Sequence, residues 1–127
     1  MNQEIADQVL IQVKTRYLAE HPAAKADKYA FAYDIDIHNQ GSDTVQLINR
    51  YWLITNANGE KTEVHGSGVV GEQPILKPGG SFQYTSGAVL ETPVGTMEGY
   101  YEMKLDNGHL FKVPIPIFRL AVPNSIN

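Results

Sequence analysis

Apolar and polar residues alternate with a period of two along most of this chain, and that alternation limits the fold more than any other feature of the sequence. A period of two sends successive side chains to opposite faces of a strand, so it calls for sheets rather than helices. Tyr29, Phe31, Tyr33, Ile35 and Ile37 form the cleanest row, ended by Asn39-Gln40-Gly41-Ser42, and Ile11, Val13, Thr15 and Tyr17 form an earlier one. A third row starts near Thr44 and passes through Val45, Leu47, Tyr51, Trp52 and Ile54 to Asn58-Gly59. That dipeptide suits the left-handed torsions of a tight hairpin, with Thr62 and Val64 as a short return strand.

Residues 66–80 carry five glycines together with Pro74 and Pro78, and read as a long irregular loop. Phe82 and Tyr84 begin a strand expected to stop near Ser86-Gly87. Met97, Gly99, Tyr101, Met103 and Leu105 then alternate with Glu98, Tyr100, Glu102 and Lys104 up to the Asp106-Asn107-Gly108 turn. The last row, Phe111, Val113, Ile115 and Ile117, is interleaved with Pro114 and Pro116. Prolines cannot donate ladder hydrogen bonds, so this strand belongs at an edge or at a bulge. Only Ala19 to Lys28 could hold a helical turn, and Pro22 stands against it. Seven or eight antiparallel strands predict an all-β fold: a two-sheet sandwich of immunoglobulin or fibronectin type III kind with Trp52 between the sheets, a small barrel being the alternative. A chain of 127 residues fits one domain, 1–127, that buries roughly two-thirds of its unfolded surface.

Composition removes whole classes of function. The absence of cysteine excludes disulfides, thiolate nucleophiles and thiolate metal sites, leaving oxygen and imidazole for any chemistry. Ten basic residues scattered among fourteen acidic ones make no patch for nucleic acid or acidic lipid. No apolar run reaches membrane-spanning length and no basic leader precedes one, so a cytoplasmic protein is expected, with no cofactor.

Two constellations are candidates for a site. Gly66-Ser67-Gly68-Val69-Val70-Gly71 is formally the glycine pattern of dinucleotide folds. Pro74 and Pro78 forbid the helix whose N-terminal amides would complete that mechanism, which leaves a weaker reading: a nest of amides for a phosphate, formed by Gly66, Ser67, Gly68 and Gly71. The competing reading is that the glycines serve a tight connection between strands. The second constellation is Asp34, Asp36 and His38, on the outward face of one strand. Two of these could share a metal ion, but same-face neighbours lie about 6.5 to 7 Å apart, so His65 or His109 would have to complete the shell. The competing reading is a solvated polar face. No serine has a paired histidine or the glycine spacing of a nucleophile elbow, and no enzyme activity is expected. Tyr51 and Tyr100 are opposite in parity to Trp52 and Tyr101, so large rings are expected on an outer surface, where aromatics often mark a partner site.

Several segments are more specific than any of these motifs. Arg50-Tyr51-Trp52-Leu53-Ile54-Thr55-Asn56, Gly68-Val69-Val70-Gly71-Glu72-Gln73-Pro74, Tyr84-Thr85-Ser86-Gly87, Glu91-Thr92-Pro93-Val94-Gly95-Thr96-Met97 and Phe118-Arg119-Leu120-Ala121-Val122-Pro123 resemble the bacterial ApaG family over nearly the whole chain. The resemblance implies a fibronectin type III-like sandwich associated with cobalt and magnesium efflux. Related domains attached to F-box proteins and to a polymerase-interacting protein imply a protein-interaction module. Monomer and homodimer both stay open, since an exposed strand edge would support a dimer while the prolines of the last strand resist pairing there. The family's pyrophosphate proposal falls on Gly66, Gly68 and Gly71, and implies a phosphate-containing small molecule as an alternative partner. This chain has Ser67 where relatives often carry an acid, and Asp34 and Asp36 where they tend to have threonine, which makes the Asp34-Asp36-His38 row a local feature.

Overall fold

The structure, a computed structural model, describes residues 5–124. Eight strands run in the order β1 (Val9–Tyr17), β2 (Tyr29–Asn39), β3 (Val45–Asn56), β4 (Lys61–Ser67), β5 (Ile75–Leu76), β6 (Ser81–Leu90), β7 (Val94–Leu105) and β8 (Leu110–Ala121). They form two antiparallel sheets, ordered β1-β2-β6 and β4-β3-β7-β8, with β5 pairing the start of β3. The expected all-β two-sheet architecture is what the chain adopts.

Inward-facing side chains from both sheets make one core. Phe31, Tyr33, Ile35 and Ile37 of β2 meet Leu47 and Trp52 of β3, Met97, Tyr101 and Met103 of β7, and Val113 and Ile115 of β8. Trp52 is 2% exposed and packs edge-on against Tyr33, Tyr101 and Phe118. Aromatic pairs favour such tilted arrangements because the ring edge is positive and the face negative. A side-chain polar link crosses the core: the hydroxyls of Tyr84 on β6 and Tyr101 on β7 lie 2.5 Å apart, joining the two sheets. Burial raises both phenols well above their ordinary value. Asn39, buried at the end of β2, is fully used: its amide donates to the carbonyls of Asp43 and Leu76, and its oxygen accepts from the Gly41 amide.

Four local expectations change. Pro22 opens a short 3-10 turn, Pro22–Ala26, because its missing N–H is not needed at a helical start. β6 continues past Ser86-Gly87 to Leu90, since Gly87 stays in register opposite Ala32 of β2. The glycine-rich stretch is more ordered than a loop: β4 reaches Ser67, Val69 bridges Glu72, and β5 lies further along. In the Asn58-Gly59 and Asn107-Gly108 hairpins only the glycine is left-handed, at φ 81° and 88°, giving three-residue loops closed by Asn56 with Glu60 and Leu105 with His109. The prolines of the last strand sit where expected on both counts. β8 is a sheet edge, and its pairing with β7 shifts register between Met97 and Gly99.

Candidate functional site

Three surfaces bear on function. In the glycine motif each glycine has a mechanical reason. A Cβ on Gly66 would lie 2.7 Å from the Arg50 guanidinium, which packs across that backbone and donates to the carbonyls of Ser67 and Gly68 at 3.1 and 2.9 Å. Gly68 is left-handed at φ 63°, and a Cβ there would meet the Glu72 carbonyl oxygen at 2.2 Å. Gly71, at φ 81°, follows Val70 at φ 44°, and two left-handed residues in sequence make the two-residue reverse turn of a tight hairpin. The amides of Gly68, Val69 and Glu72 donate to Ile48, Glu72 and Val69 carbonyls respectively. Gly66, Ser67 and Gly68 gather around Arg50, whereas Gly71 stands at the hairpin tip beside Val70, which is 54% exposed.

Asp34, Asp36 and His38 do share the outer face of β2, with Tyr33, Ile35 and Ile37 buried behind them. Each turns to a different neighbour. Asp34 accepts from both Arg16 on β1, at 3.1 and 3.2 Å, and Thr85 on β6, at 2.6 Å. The Arg16 hydrogen bonds, helped by Thr85, hold its carboxyl below the usual carboxylate range. Asp36 accepts from Gln83 at 3.4 Å through one oxygen; its other oxygen is buried without a protein partner. His38 Nδ1 meets Ser81 Oγ at 2.5 Å, so one serine does have a histidine partner, against the expectation from sequence, because the β2-β6 register sets Ser81 opposite His38. His65 lies on the other sheet, paired with Tyr51. Among the described residues no cluster of three or more histidines and acids gathers to hold a metal ion.

The third surface is the outer face of β4-β3-β7-β8. Register places His65, Tyr51 and Tyr100 side by side across three strands. Tyr51 stacks on Tyr100 with centroids 5.0 Å apart, His65 covers the other face of Tyr51 at 4.8 Å, and the Lys112 ammonium sits 4.6 Å from the Tyr100 centroid. The Tyr51 hydroxyl donates to Glu63 at 2.7 Å, and that hydrogen bond raises its phenol above the ordinary value. Asn49 donates to Glu102 at 2.9 Å. Tyr51, His65, Tyr100, Asn49 and Glu102, together with Arg50 and Gly66, line a shallow depression of about 350 Å³. Parity alone exposes Tyr51 and Tyr100 in the sequence; their stacking and the capping by His65 and Lys112 depend on a register that no local pattern encodes.

The ApaG domain family model matches residues 19–105, from just before the 3-10 turn to the end of β7. This chain belongs to the ApaG family. It is 59% identical over 119 residues to Protein ApaG of Sodalis glossinidius (strain morsitans), covering 94% of this chain and 95% of the relative. It is 53% identical over 122 residues to Protein ApaG of Proteus mirabilis (strain HI4320), covering 96% and 98%. The crystal structure of an ApaA protein from Bordetella pertussis superposes with a TM-score of 0.87 at 45% identity, covering 92% of this chain and 95% of that one. An Archaeoglobus fulgidus protein at 8% identity, with a TM-score of 0.56 over 90% of this chain and 98% of its own, shares the fold alone. The ApaG family match ends at Leu105, but the full-length relatives carry the likeness across β1 and β8 as well.

Proposed function

We propose that this ApaG chain is a non-catalytic cytoplasmic module that binds another protein through the outer face of β4-β3-β7-β8, in the service of cobalt and magnesium tolerance. The carrying observation is the ring column His65-Tyr51-Tyr100 capped by Lys112, set among Glu63 and Glu102. Large rigid aromatics lose little conformational entropy on binding and dominate interface energetics, and the flanking acids supply a polar rim. The alternative anion reading would have to use the amides of Ser67, Val70 and Gly71, because those of Gly68, Val69 and Glu72 already donate within the protein.

A photo-crosslinking amino acid placed at Tyr100, and in a parallel variant at Thr85 on the opposite sheet, tests this in living cells. The Tyr100 position should capture one reproducible partner that Thr85 does not, and Tyr51→Ala should lose it while the chain remains folded. Equal background from both positions would overturn the proposal. Cells carrying Tyr51→Ala should also match a deletion strain in cobalt sensitivity.

A further inference from the structure

The open edge of β4, the strand that supplies His65 to the ring column, carries a second signal in its backbone pairing. β4 pairs only with β3 among the described strands, and β3 lies on one side of it. Two backbone bonds bracket the pair: Asn56 N–H to the Glu60 carbonyl at 3.0 Å and Gly68 N–H to the Ile48 carbonyl at 2.8 Å. The register between them sets Thr62 opposite Ile54, Val64 opposite Trp52 and Gly66 opposite Arg50. In an antiparallel ladder, hydrogen-bonded and non-hydrogen-bonded pairs alternate, so Thr62, Val64 and Gly66 bond to β3. Lys61, Glu63, His65 and Ser67 therefore turn their backbone groups to the open side.

Most sheet edges carry a device against pairing. β8 has Pro114 and Pro116, whereas β4 has no proline and a single lysine at its first residue. Its midpoint is Val64. Two copies of β4 related by a two-fold axis at Val64 would align Lys61 with Ser67 and Glu63 with His65, in both directions. Every residue whose backbone faces the edge then meets one of the same kind, forming about eight inter-chain hydrogen bonds. Glu63 and His65 are both held against Tyr51 on the outer face, so across the axis they make a square of alternating glutamates and histidines, like with like only on the diagonals. Opposed unlike residues stabilise a strand pair, and a register centred on Glu63 or His65 would instead oppose like with like. β6, the nearest edge of the other sheet, has no charged residue to select any register.

We infer that β4 is a homodimerisation edge, pairing antiparallel with β4 of a second copy about Val64 and joining two five-stranded sheets into one continuous sheet.

The chain has no cysteine, so single introduced thiols report the register cleanly. At a non-hydrogen-bonded pair the Cα atoms lie about 4.5 Å apart, inside the roughly 4.4 to 6.8 Å span of a disulfide. Under a mild glutathione couple, Val64→Cys should form a covalent dimer, while Thr62→Cys, whose opposite residue is Gly66 of the second copy, should not. Sedimentation equilibrium keeps the question answerable if a cysteine variant folds poorly. The unmodified chain should show mass rising with concentration, Glu63→Lys or His65→Glu should weaken association about tenfold, and the double exchange Glu63→Lys with His65→Glu should restore it. A species of 14.1 kDa at every concentration, crosslinking at Thr62→Cys as fast as at Val64→Cys, or edge thiols that capture other proteins in place of a second copy would each overturn the inference.

Discussion

The two sheets present unlike outer faces although their strands are built from the same alternation. On β1-β2-β6 the outward residues are mostly polar or charged, with Leu10 and Val89 as exposed apolar exceptions: Arg16, Asp34 and Thr85 close a triad, and Gln83 reaches Asp36. On β4-β3-β7-β8 the outward row is aromatic, stacked and capped by a cation. A polar face whose charges are mostly paired with one another, the second Asp36 oxygen excepted, has less to offer another molecule. A ring column with half-exposed edges retains apolar surface that a partner could cover. The difference lies in side-chain choice at equivalent outward positions, so substitutions on the two faces should behave differently.

The backbone beneath each face gives the largest contrast. Gly99 underlies Tyr100, and a Cβ there would come within 1.9 Å of the Tyr51 carbonyl oxygen. Backbone cannot yield as a flexible side chain can, so Gly99→Ala should destabilise the fold by about 3 kcal/mol and disturb the register shift between Met97 and Gly99. Gly87 sits at a comparable place in the other sheet, where a Cβ would meet the Phe31 carbonyl oxygen at 3.2 Å. Gly87→Ala should cost under about 1 kcal/mol, since a few tenths of an ångström of movement relieve it. Urea unfolding of the two variants checks the ordering; equal losses would show that the aromatic face does not depend on its glycine.

The next effect lies where the sheets meet. Tyr84→Phe or Tyr101→Phe leaves the surviving hydroxyl buried without its partner and should cost about 1–3 kcal/mol, while the double change should be milder than the sum of the two. Both phenols are raised in the folded state, so folding keeps them protonated where the unfolded chain would already have released its protons. The unfolded state then binds fewer protons, and stability should fall as pH rises above about 10. The doubly substituted chain should show a shallower alkaline loss than the parent in thermal melts between pH 9 and 11.

How much of this was legible in the sequence depended on distance along the chain. Tyr33-Ile35-Ile37 against Asp34-Asp36-His38 could be read directly, because neighbouring residues decide it. Trp52 also found its expected place. The glycine motif admits two readings in the sequence, an anion nest or a tight connection, because the reasons for its glycines lie elsewhere: Arg50, sixteen residues before Gly66, fills the space a side chain would need, and the Glu72 carbonyl closes on Gly68. The β6 boundary was misplaced because Gly87 resembles a stop until its pairing with Ala32 is known. His65, considered only as a metal ligand, became part of a ring column once β4, β3 and β7 were in register. Cross-strand contacts follow from hairpin closure and bulges, and the Met97/Gly99 shift has no local signature beyond one glycine in an otherwise regular row.

The smallest effect closes the contrast on the polar face. Arg16 and Asp34 are both exposed, with side chains 55% and 38% accessible, so solvent and salt screen their attraction even though the contact is at 3.1 Å. The Asp34 carboxyl is held below the usual range, first by the Arg16 hydrogen bonds and then by Thr85. A depressed carboxyl stabilises the fold above its unfolded value near 3.9 and loses that contribution as pH falls through the lower folded value. Thermal melts of Asp34→Asn should fall slightly short of the parent at pH 7, with the gap closing progressively as pH falls below about 4 and shrinking in 1 M salt. A paired double-mutant cycle sharpens the comparison: Tyr51→Ala with Tyr100→Ala should show a coupling that survives 1 M salt, because stacked rings interact through contact and buried area. The Arg16→Ala with Asp34→Ala cycle should lose most of its coupling under the same conditions. If both cycles respond to salt alike, the two outer faces differ in composition but not in what holds them.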